Sequence, residues 1–149
     1  NIITTVIGSY DAPKTRLPGG GGAPEIASAS QRVFITMKQS RRGFVPNIDF
    51  FTSFGHGTGG DHRAQLGITT KGPALLVTDK AVWEPDPQTR EFTVTSLHPG
   101  VTRVEMGESV GWDIRYAADV AETPAPTQVE LDVLRDLKAR TTAAHGDAA

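Results

Sequence analysis

The sequence predicts an α/β fold in which an open mixed sheet is flanked by helices. Short β-branched and apolar runs alternate with helix-like segments, which is typical of a sheet with crossover helices. The prolines and Asp86 between Trp83 and Phe92 predict a turn that joins two antiparallel strands. The length of 149 residues and the hydrophobic content of 38% fit one globular domain. We assign this domain to residues 1–142 and expect a frayed tail at 143–149.

The strands are expected where β-branched and aromatic residues cluster. The predicted strands are Ile2–Ile7, Val33–Met37, Ile48–Phe54, Leu75–Thr78 and Phe92–Thr95. A further strand-like segment ends at Arg16-Leu17-Pro18. The prolines in Glu122–Pro126 predict an extended linker because a residue before proline disfavours the helical region.

Helical patterns occupy three segments. They are Pro24–Ser30, Val101–Val110 and a longer segment that begins at Thr127 and turns polar at Thr141. Pro24 suits a first helical turn because its missing N–H is not needed there. Thr127 and Glu130 have capping-box spacing, and leucines recur at helical spacing after them. The third helix is therefore the clearest of the three.

The charge balance and the absence of cysteine exclude several function classes. There are 15 Lys and Arg residues against 17 Asp and Glu, which leaves no basic excess for tracking nucleic acid. We interpret the basic run Lys38–Arg42 as a solvated strand end, with partner contact as the alternative. Without cysteine there is no disulfide, thiolate nucleophile or cysteine metal site. No apolar run approaches the ~20 residues that span a bilayer, and no signal-peptide pattern opens the chain, so we expect a cytoplasmic protein.

Four consecutive glycines, Gly19–Gly22, are the strongest candidate site, and we call them the glycine loop. Backbone without side chains can approach a ligand closely and direct its amides at negative charge. A dinucleotide fingerprint needs a third glycine where Pro24 stands, and the Gly-Lys-Ser/Thr of a P-loop is absent. We expect a loop that faces a ligand, and the alternative is a plain turn between strand and helix.

A second glycine-rich segment, Phe54–Arg63, contains side chains that could bind a metal. His56, Asp61 and His62 could converge, but their spacing matches no recognised zinc motif. We therefore predict a polar surface loop and no metal site, with a ligand-binding loop as the alternative. His98 precedes Pro-Gly and is interpreted as a turn residue.

These residues together resemble the B (β) subunit of family I CoA-transferases. The glycine loop matches the G-x-G-G loop of that family, and similar residues lie at Asn1–Gly8, Pro13–Lys14 and Arg16–Ala27. The resemblance continues through Lys38–Ser40, Asp49–Ser53, Gly55–Gly57, Gly59–Arg63, Thr95–Thr102, Gly111–Trp112, Pro126–Thr127 and Glu130–Leu131. It covers nearly the whole chain and is greatest to the branch of 3-oxoadipate and glutaconate CoA-transferases.

The resemblance implies a ping-pong exchange in which a glutamate carboxylate attacks succinyl-CoA and ends as a glutamyl-CoA thioester. The acceptor, 3-oxoadipate or a related 3-oxoacid, then takes the CoA. Coenzyme A is a substrate here, and no other cofactor is expected. The amides of Gly21 and Gly22 are the expected oxyanion donors. Residues expected to contact the CoA thioester are Gly19, Gly20, Gly21, Gly22 and Ala23.

In this family the nucleophilic glutamate precedes the segment that matches Asn1. None of the glutamates in this chain takes that position, so we expect another segment to supply the nucleophile. The expected partners are a CoA-transferase A (α) subunit and a separate N-terminal part of the β subunit, with no nucleic acid or membrane. Two alternatives stay open: a CoA-thioester hydrolase on the same fold, including the ring-opening type, and a noncatalytic assembly subunit.

Overall fold

Seven strands form two sheets within residues 1–145, which are the residues that the computed structural model describes. The strands are β1 (Val6–Gly8), β2 (Pro13–Arg16), β3 (Val33–Thr36), β4 (Pro73–Val77), β5 (Ala81–Pro85), β6 (Phe92–Leu97) and β7 (Tyr116–Glu122). β1 and β2 form an antiparallel pair, and β3 to β7 lie in chain order in the larger sheet. In that sheet β3–β4 and β6–β7 are parallel, whereas β4–β5 and β5–β6 are antiparallel. The predicted mixed α/β sheet is therefore confirmed.

Three of the four described helices lie close to predicted segments, and the short second helix was not predicted, since the sequence indicated a surface loop there. The helices are α1 (Ala23–Ala29), α2 (His62–Gln65), α3 (Arg103–Glu108) and α4 (Gln128–His145). α1 begins directly after the glycine loop, with Pro24 in its first turn. α3 has a capping box in which Thr102 N donates to Glu105 Oε2 at 2.8 Å and Glu105 N donates to Thr102 Oγ1 at 3.2 Å.

The last helix, α4, has the predicted capping box. Thr127 N donates to Glu130 Oε2 at 2.7 Å, and Glu130 N donates to Thr127 Oγ1 at 3.3 Å. The helix runs to His145, three residues past the predicted end of the domain, and the rest of the predicted tail, 146–149, lies outside the described residues. None of the helices within residues 1–145 has the length and apolarity needed to cross a membrane.

The prediction of a strand over Ile48–Phe54 is wrong. Only Ser53 pairs in this segment, in an isolated antiparallel bridge with Ile2. The rest is held by scattered hydrogen bonds: Thr52 N donates to Ile2 O at 3.0 Å, Asp49 Oδ2 accepts from Gly8 N at 2.8 Å, and Thr52 Oγ1 accepts from Thr4 N at 2.9 Å. The apolar run therefore packs as an irregular segment whose contacts a strand pattern does not predict.

The sequence also missed β7, whose alanines and aspartate have low strand propensity. Parallel pairing with β6 supports this strand, and it includes Glu122, which the sequence placed in the linker. Thr123 N continues the contact by donating to Leu97 O at 2.8 Å. β7 therefore forms because it pairs with β6, although its local strand propensity is low.

The core packs around Trp83 on β5, which has no exposed surface. The other buried members are Phe44, Leu76, Ala81, Val94, Met106 and Val110. Gln39 is buried as well, and its amide is satisfied there: Nε2 donates to Ser109 Oγ at 2.8 Å and Oε1 accepts from Thr78 Oγ1 at 3.0 Å. The basic run Lys38–Arg42 is thus solvent-exposed at its charges but anchored in the core at Gln39.

Candidate functional site

The glycine loop needs its glycines for two different reasons. Gly19 and Gly21 have φ angles of 103° and 51°, in the left-handed region that favours glycine. Gly20 needs space, because a Cβ there would lie 2.9 Å from Pro24 Cγ and 3.0 Å from Thr52 Cγ2. Three of the four positions therefore fix the path and the packing of the loop.

Hydrogen bonds that involve Thr4, Thr5 and Thr52 support the glycine loop. Gly19 N donates to Thr4 O at 2.7 Å, and Thr4 N donates to Thr52 Oγ1 at 2.9 Å. The hydroxyls of Thr5 and Thr52 lie 2.8 Å apart. The sequence did not indicate this support, because Thr4 and Thr52 are far apart along the chain.

The far end of the loop is open to solvent. Gly21, Gly22 and Ala23 are exposed, and a Cβ on Gly22 would meet no atom within 4 Å. Ala23 N donates to Gly20 O at 3.0 Å, whereas the amides of Gly21 and Gly22 make no hydrogen bond to another residue of the described chain. The two amides predicted as oxyanion donors are thus available, and the Ala23 amide is not.

Asn1 holds the second glycine-rich segment. Its Oδ1 accepts from Gly55 N at 2.9 Å and from Gly57 N at 3.1 Å, and its Nδ2 donates to Gly57 O at 2.9 Å. A Cβ on Gly55 would lie 2.7 Å from Asn1 N, so glycine is needed for this close approach. The closely spaced glycines in the sequence are the feature from which such a close contact could have been predicted.

The predicted metal candidates, His56, Asp61 and His62, do not converge. Each has its own partner: Pro73 O for His56, Gln65 Nε2 for Asp61 and Thr58 N for His62. Within residues 1–145 no group of three or more His, Cys, Asp or Glu side chains could hold a metal ion.

Arg63 joins this segment to α1, a role that the sequence did not reveal. Its guanidinium is buried and donates to Gly55 O at 2.7 Å, Thr70 O at 3.1 Å, Thr70 Oγ1 at 2.6 Å and Ala27 O at 3.4 Å. Burial lowers the pKa of Arg63, but a guanidinium stays charged in proteins. Arg63 therefore links α1 to the second glycine-rich segment inside the protein, and the glycine loop connects to this link through α1.

His56 lies near two positively charged arginines, Arg63 and Arg90. Its Nε2 is 2.8 Å from Pro73 O. Burial lowers the pKa of His56 most, the charges of Arg63 and Arg90 lower it further, and the Pro73 hydrogen bond opposes them. The neutral imidazole is thus the favoured form.

His98, interpreted from the sequence as a turn residue, follows β6 and accepts at its carbonyl from Val101 N at 3.0 Å. Its ring nitrogens lie 2.9 Å from Thr123 Oγ1 and 2.9 Å from Thr78 O. The ring therefore ties the turn to the ends of neighbouring strands.

Two cavities lie near these elements. One, of about 220 Å³, is largely apolar and is lined by residues that include Ser53, Trp83 and Trp112. The other is a wider groove of about 870 Å³ whose lining includes His56, Arg63 and other polar residues. The glycine loop lines neither of them and stands on the outer surface.

Known proteins are similar to this chain in sequence over nearly its full length. It is 60% identical over 146 residues to the B subunit of 3-oxoadipate CoA-transferase from Pseudomonas knackmussii, covering 98% of this chain and 56% of that protein. It is 23% identical over 140 residues to the cholesterol ring-cleaving hydrolase IpdB subunit of Rhodococcus jostii, covering 89% of this chain and 52% of that protein.

The crystal structure of glutaconate coenzyme A-transferase from Acidaminococcus fermentans matches with a TM-score of 0.81 and 34% identity, covering 91% of this chain and 52% of that one. The chain thus spans about half the length of the relatives it matches. Residues 1–106, which contain the glycine loop and the second glycine-rich segment, match the family model described as Coenzyme A transferase. The chain therefore belongs to the coenzyme A transferase family.

Proposed function

We propose that this chain is part of the β subunit of a heteromeric CoA-transferase that moves CoA from succinyl-CoA to 3-oxoadipate or a related 3-oxoacid. The observation that carries the proposal is the 60% identity, across 98% of the chain, to a protein named as the B subunit of 3-oxoadipate CoA-transferase. The open amides of Gly21 and Gly22 supply a geometric reason for the same assignment.

In the proposed reaction a glutamate carboxylate from outside these 149 residues attacks the thioester carbonyl of succinyl-CoA. The carbonyl π electrons move to oxygen, and their return expels the CoA thiolate and leaves a mixed anhydride. The thiolate then attacks the glutamyl carbonyl, which releases succinate and forms the glutamyl-CoA thioester. The acceptor carboxylate repeats the sequence in reverse, takes the CoA and frees the glutamate.

The glycine loop acts where negative charge develops on oxygen. Donors that are already oriented stabilise such an oxyanion without reorganising, and losing one can cost about 3 kcal/mol in the barrier. Gly21 and Gly22 are exposed residues whose amides have no other described partner, which suits them to this role. Gly19 and Gly20 hold the loop against Thr4 and Thr52, and the exposed side of the loop leaves room for the thioester.

The partners in this proposal are an α subunit and the remainder of the β subunit. The relative from Pseudomonas knackmussii is named as one lettered subunit of its enzyme, which supports a second kind of subunit. Coenzyme A thioester and carboxylic acid are the small-molecule substrates, with no further cofactor. The cytoplasmic location predicted from the sequence belongs to the same proposal.

A CoA-thioester hydrolase is the second candidate, favoured by the 23% identity to the ring-cleaving hydrolase subunit. Water would replace the acid acceptor in that reaction. The weaker match over a similar share of the chain makes it the less supported candidate. A noncatalytic assembly subunit is the third outcome to be tested.

The deciding experiment uses the full-length β subunit assembled with its α subunit. The complex is supplied with succinyl-CoA, with and without 3-oxoadipate, and products are followed by liquid chromatography and mass spectrometry. Formation of 3-oxoadipyl-CoA and succinate in equal amounts is the expected result. Free CoA and succinate without an acceptor would indicate the hydrolase, and no thioester chemistry at all would indicate the assembly subunit.

A further inference from the structure

The last helix, α4, stands apart from the rest of the described chain. None of its residues is buried. No hydrogen bond or salt bridge joins it to another helix or strand of residues 1–145. It has 18 residues and is about 27 Å long. Packing of an apolar side supplies most of the stability of such a helix in a protein, so an uncovered apolar side of α4 calls for a partner.

One side of α4 carries large apolar side chains that are open to solvent. They are Val129, Val133, Leu134 and Leu137, and we call them the α4 stripe. Val129, Val133 and Leu137 follow one another at intervals of four residues, and Leu134 lies three residues before Leu137, so the four share one side of the helix. Their exposed fractions run from 46% for Leu134 to 73% for Val129. Single exposed apolar side chains are ordinary, whereas a contiguous group on one helix side is typical of a contact surface.

The charges of α4 are divided between its two halves. Residues 128–136 include three carboxylates and one arginine, whereas residues 137–145 include Lys138 and Arg140 and no carboxylate. Two of these charges border the α4 stripe, since Glu130 lies four residues before Leu134 and Arg140 lies three residues after Leu137. Arg140 Nε is 2.9 Å from Asp136 Oδ2 in the same helix, and its side chain is still 69% exposed. Both bordering charges are therefore accessible to a partner.

This division of charge makes α4 complementary to a second copy of itself that runs in the opposite direction. When Val133 of one copy lies against Leu137 of the second copy, Glu130 lies opposite Arg140 of the second copy, because both pairs are centred on the same point of the helix. The twofold symmetry of such a contact makes each pair occur twice. Parallel copies would bring like charges together, which is unfavourable.

We propose that α4 pairs in antiparallel orientation with α4 of a second copy of this chain. The charge division favours a second copy over another occupant, because self-pairing gives both halves of the helix an oppositely charged neighbour. Two helices of this length form a contact smaller than a standard protein interface, so the association depends on protein concentration. The inference goes beyond the proposed function and does not depend on the reaction.

The test reverses the two bordering charges in the full-length protein assembled with its α subunit. Glu130→Arg alone or Arg140→Glu alone puts like charges opposite each other at both symmetric places. The dissociation constant between two copies, measured by sedimentation velocity over a range of concentrations, should rise about tenfold in each single variant. The double variant Glu130→Arg with Arg140→Glu restores opposite charges and should associate as the wild type does. Continued weak association of the double variant would overturn the pairing.

Two features of the design separate pairing from damage to the helix. Glu130 also accepts from Thr127 N in the capping box, but the double variant loses this cap as well, so its recovery cannot come from capping. The matched control is Arg135→Glu, which reverses an exposed charge two residues away from both Val133 and Leu137 and therefore off the α4 stripe. The control should associate as the wild type does.

A second variant, Val133→Gln with Leu137→Gln, removes apolar surface from the α4 stripe. It should yield assemblies with one copy of this chain at concentrations where the wild type contains two. Unchanged mass of the assembly overturns the proposal. Loss of the α subunit would assign the α4 stripe to that subunit, and a lower urea midpoint would assign it to the rest of the same chain, and either result overturns the pairing. None of these measurements uses CoA turnover, so a failed pairing leaves the proposed function intact.

Discussion

Gly20 packs directly against Thr52, since a Cβ on the glycine would lie 3.0 Å from Cγ2 of the threonine. The same threonine accepts a hydrogen bond from Thr4 N at 2.9 Å, and the carbonyl of Thr4 accepts from Gly19 N at 2.7 Å. The Thr52 side chain thus contacts the loop at Gly20 and also binds Thr4, whose carbonyl holds Gly19. The loop therefore depends on residues distant from it in sequence.

Gly20→Ala should destabilise the protein by about 1–3 kcal/mol, because its methyl group would press on Pro24 and Thr52 and force a backbone shift. The free energy of unfolding of the full-length protein in urea measures this effect. Gly22→Ala is the matched control, since its Cβ meets no atom within 4 Å and its φ is -83°. The control should change stability by no more than about 0.5 kcal/mol. Equal stability of the two variants would contradict the packing described.

Arg63→Met should cost about 2–4 kcal/mol of stability, because Met fills the space but leaves Gly55 O and Thr70 O without donors. Thermal unfolding of the full-length protein checks it. Arg42→Met, at an exposed position, is the control and should stay within about 0.5 kcal/mol of the wild type. A wild-type melting temperature in Arg63→Met would show that the buried hydrogen bonds do not support the fold.

Local patterns predicted the parts of the fold that local contacts decide. The capping box of Thr127 and Glu130 involves neighbours in sequence, and it is present as expected. β7 was missed because its alanine-containing segment forms a strand only through pairing with β6. Ile48–Phe54 has a strand-like composition but is held by side-chain hydrogen bonds and one isolated bridge to Ile2, which composition does not reveal.

The candidate site likewise has a part that local sequence patterns predicted and a part that they did not. The glycine loop was visible because consecutive glycines are a local signal; Gly21 and Gly22 are exposed, and the role of their amides stays a prediction. Arg63 was not identified, since one of its acceptors, Ala27 O, lies 36 residues away. Asn1 likewise contacts Gly55 across 54 residues. Such contacts follow from the tertiary fold and are absent from any local pattern.

Acidification should destabilise the protein through His56, whose pKa is lowered from the ordinary value of 6.5 by burial and by nearby arginines. As the pH falls through that value, His56 binds a proton in the unfolded chain. In the folded protein its lowered pKa keeps the imidazole neutral. Stability is therefore full above about pH 6.5 and declines below it. The urea midpoint at about pH 7.5 and about pH 5.5 measures the loss.

His56→Gln should flatten this pH dependence, because an amide can still donate to Pro73 O and does not titrate. His145→Gln, at the exposed end of α4, is the matched control and should keep the wild-type decline. The explanation is wrong if His56→Gln loses as much stability on acidification as the wild type does.

Gly22→Val should lower kcat of the assembled enzyme by about 100-fold, corresponding to about 3 kcal/mol, because its side chain would block approach to the adjacent amides. The φ of -83° and the open space around Gly22 allow the substitution to fold, so the loss would be one of ligand access. Gly21→Val should lower turnover as well, but its φ of 51° adds strain. Turnover of succinyl-CoA, assembly of the complex by size-exclusion chromatography and the urea midpoint are measured together. Normal turnover in Gly22→Val with intact assembly would contradict a role of the glycine loop in the reaction.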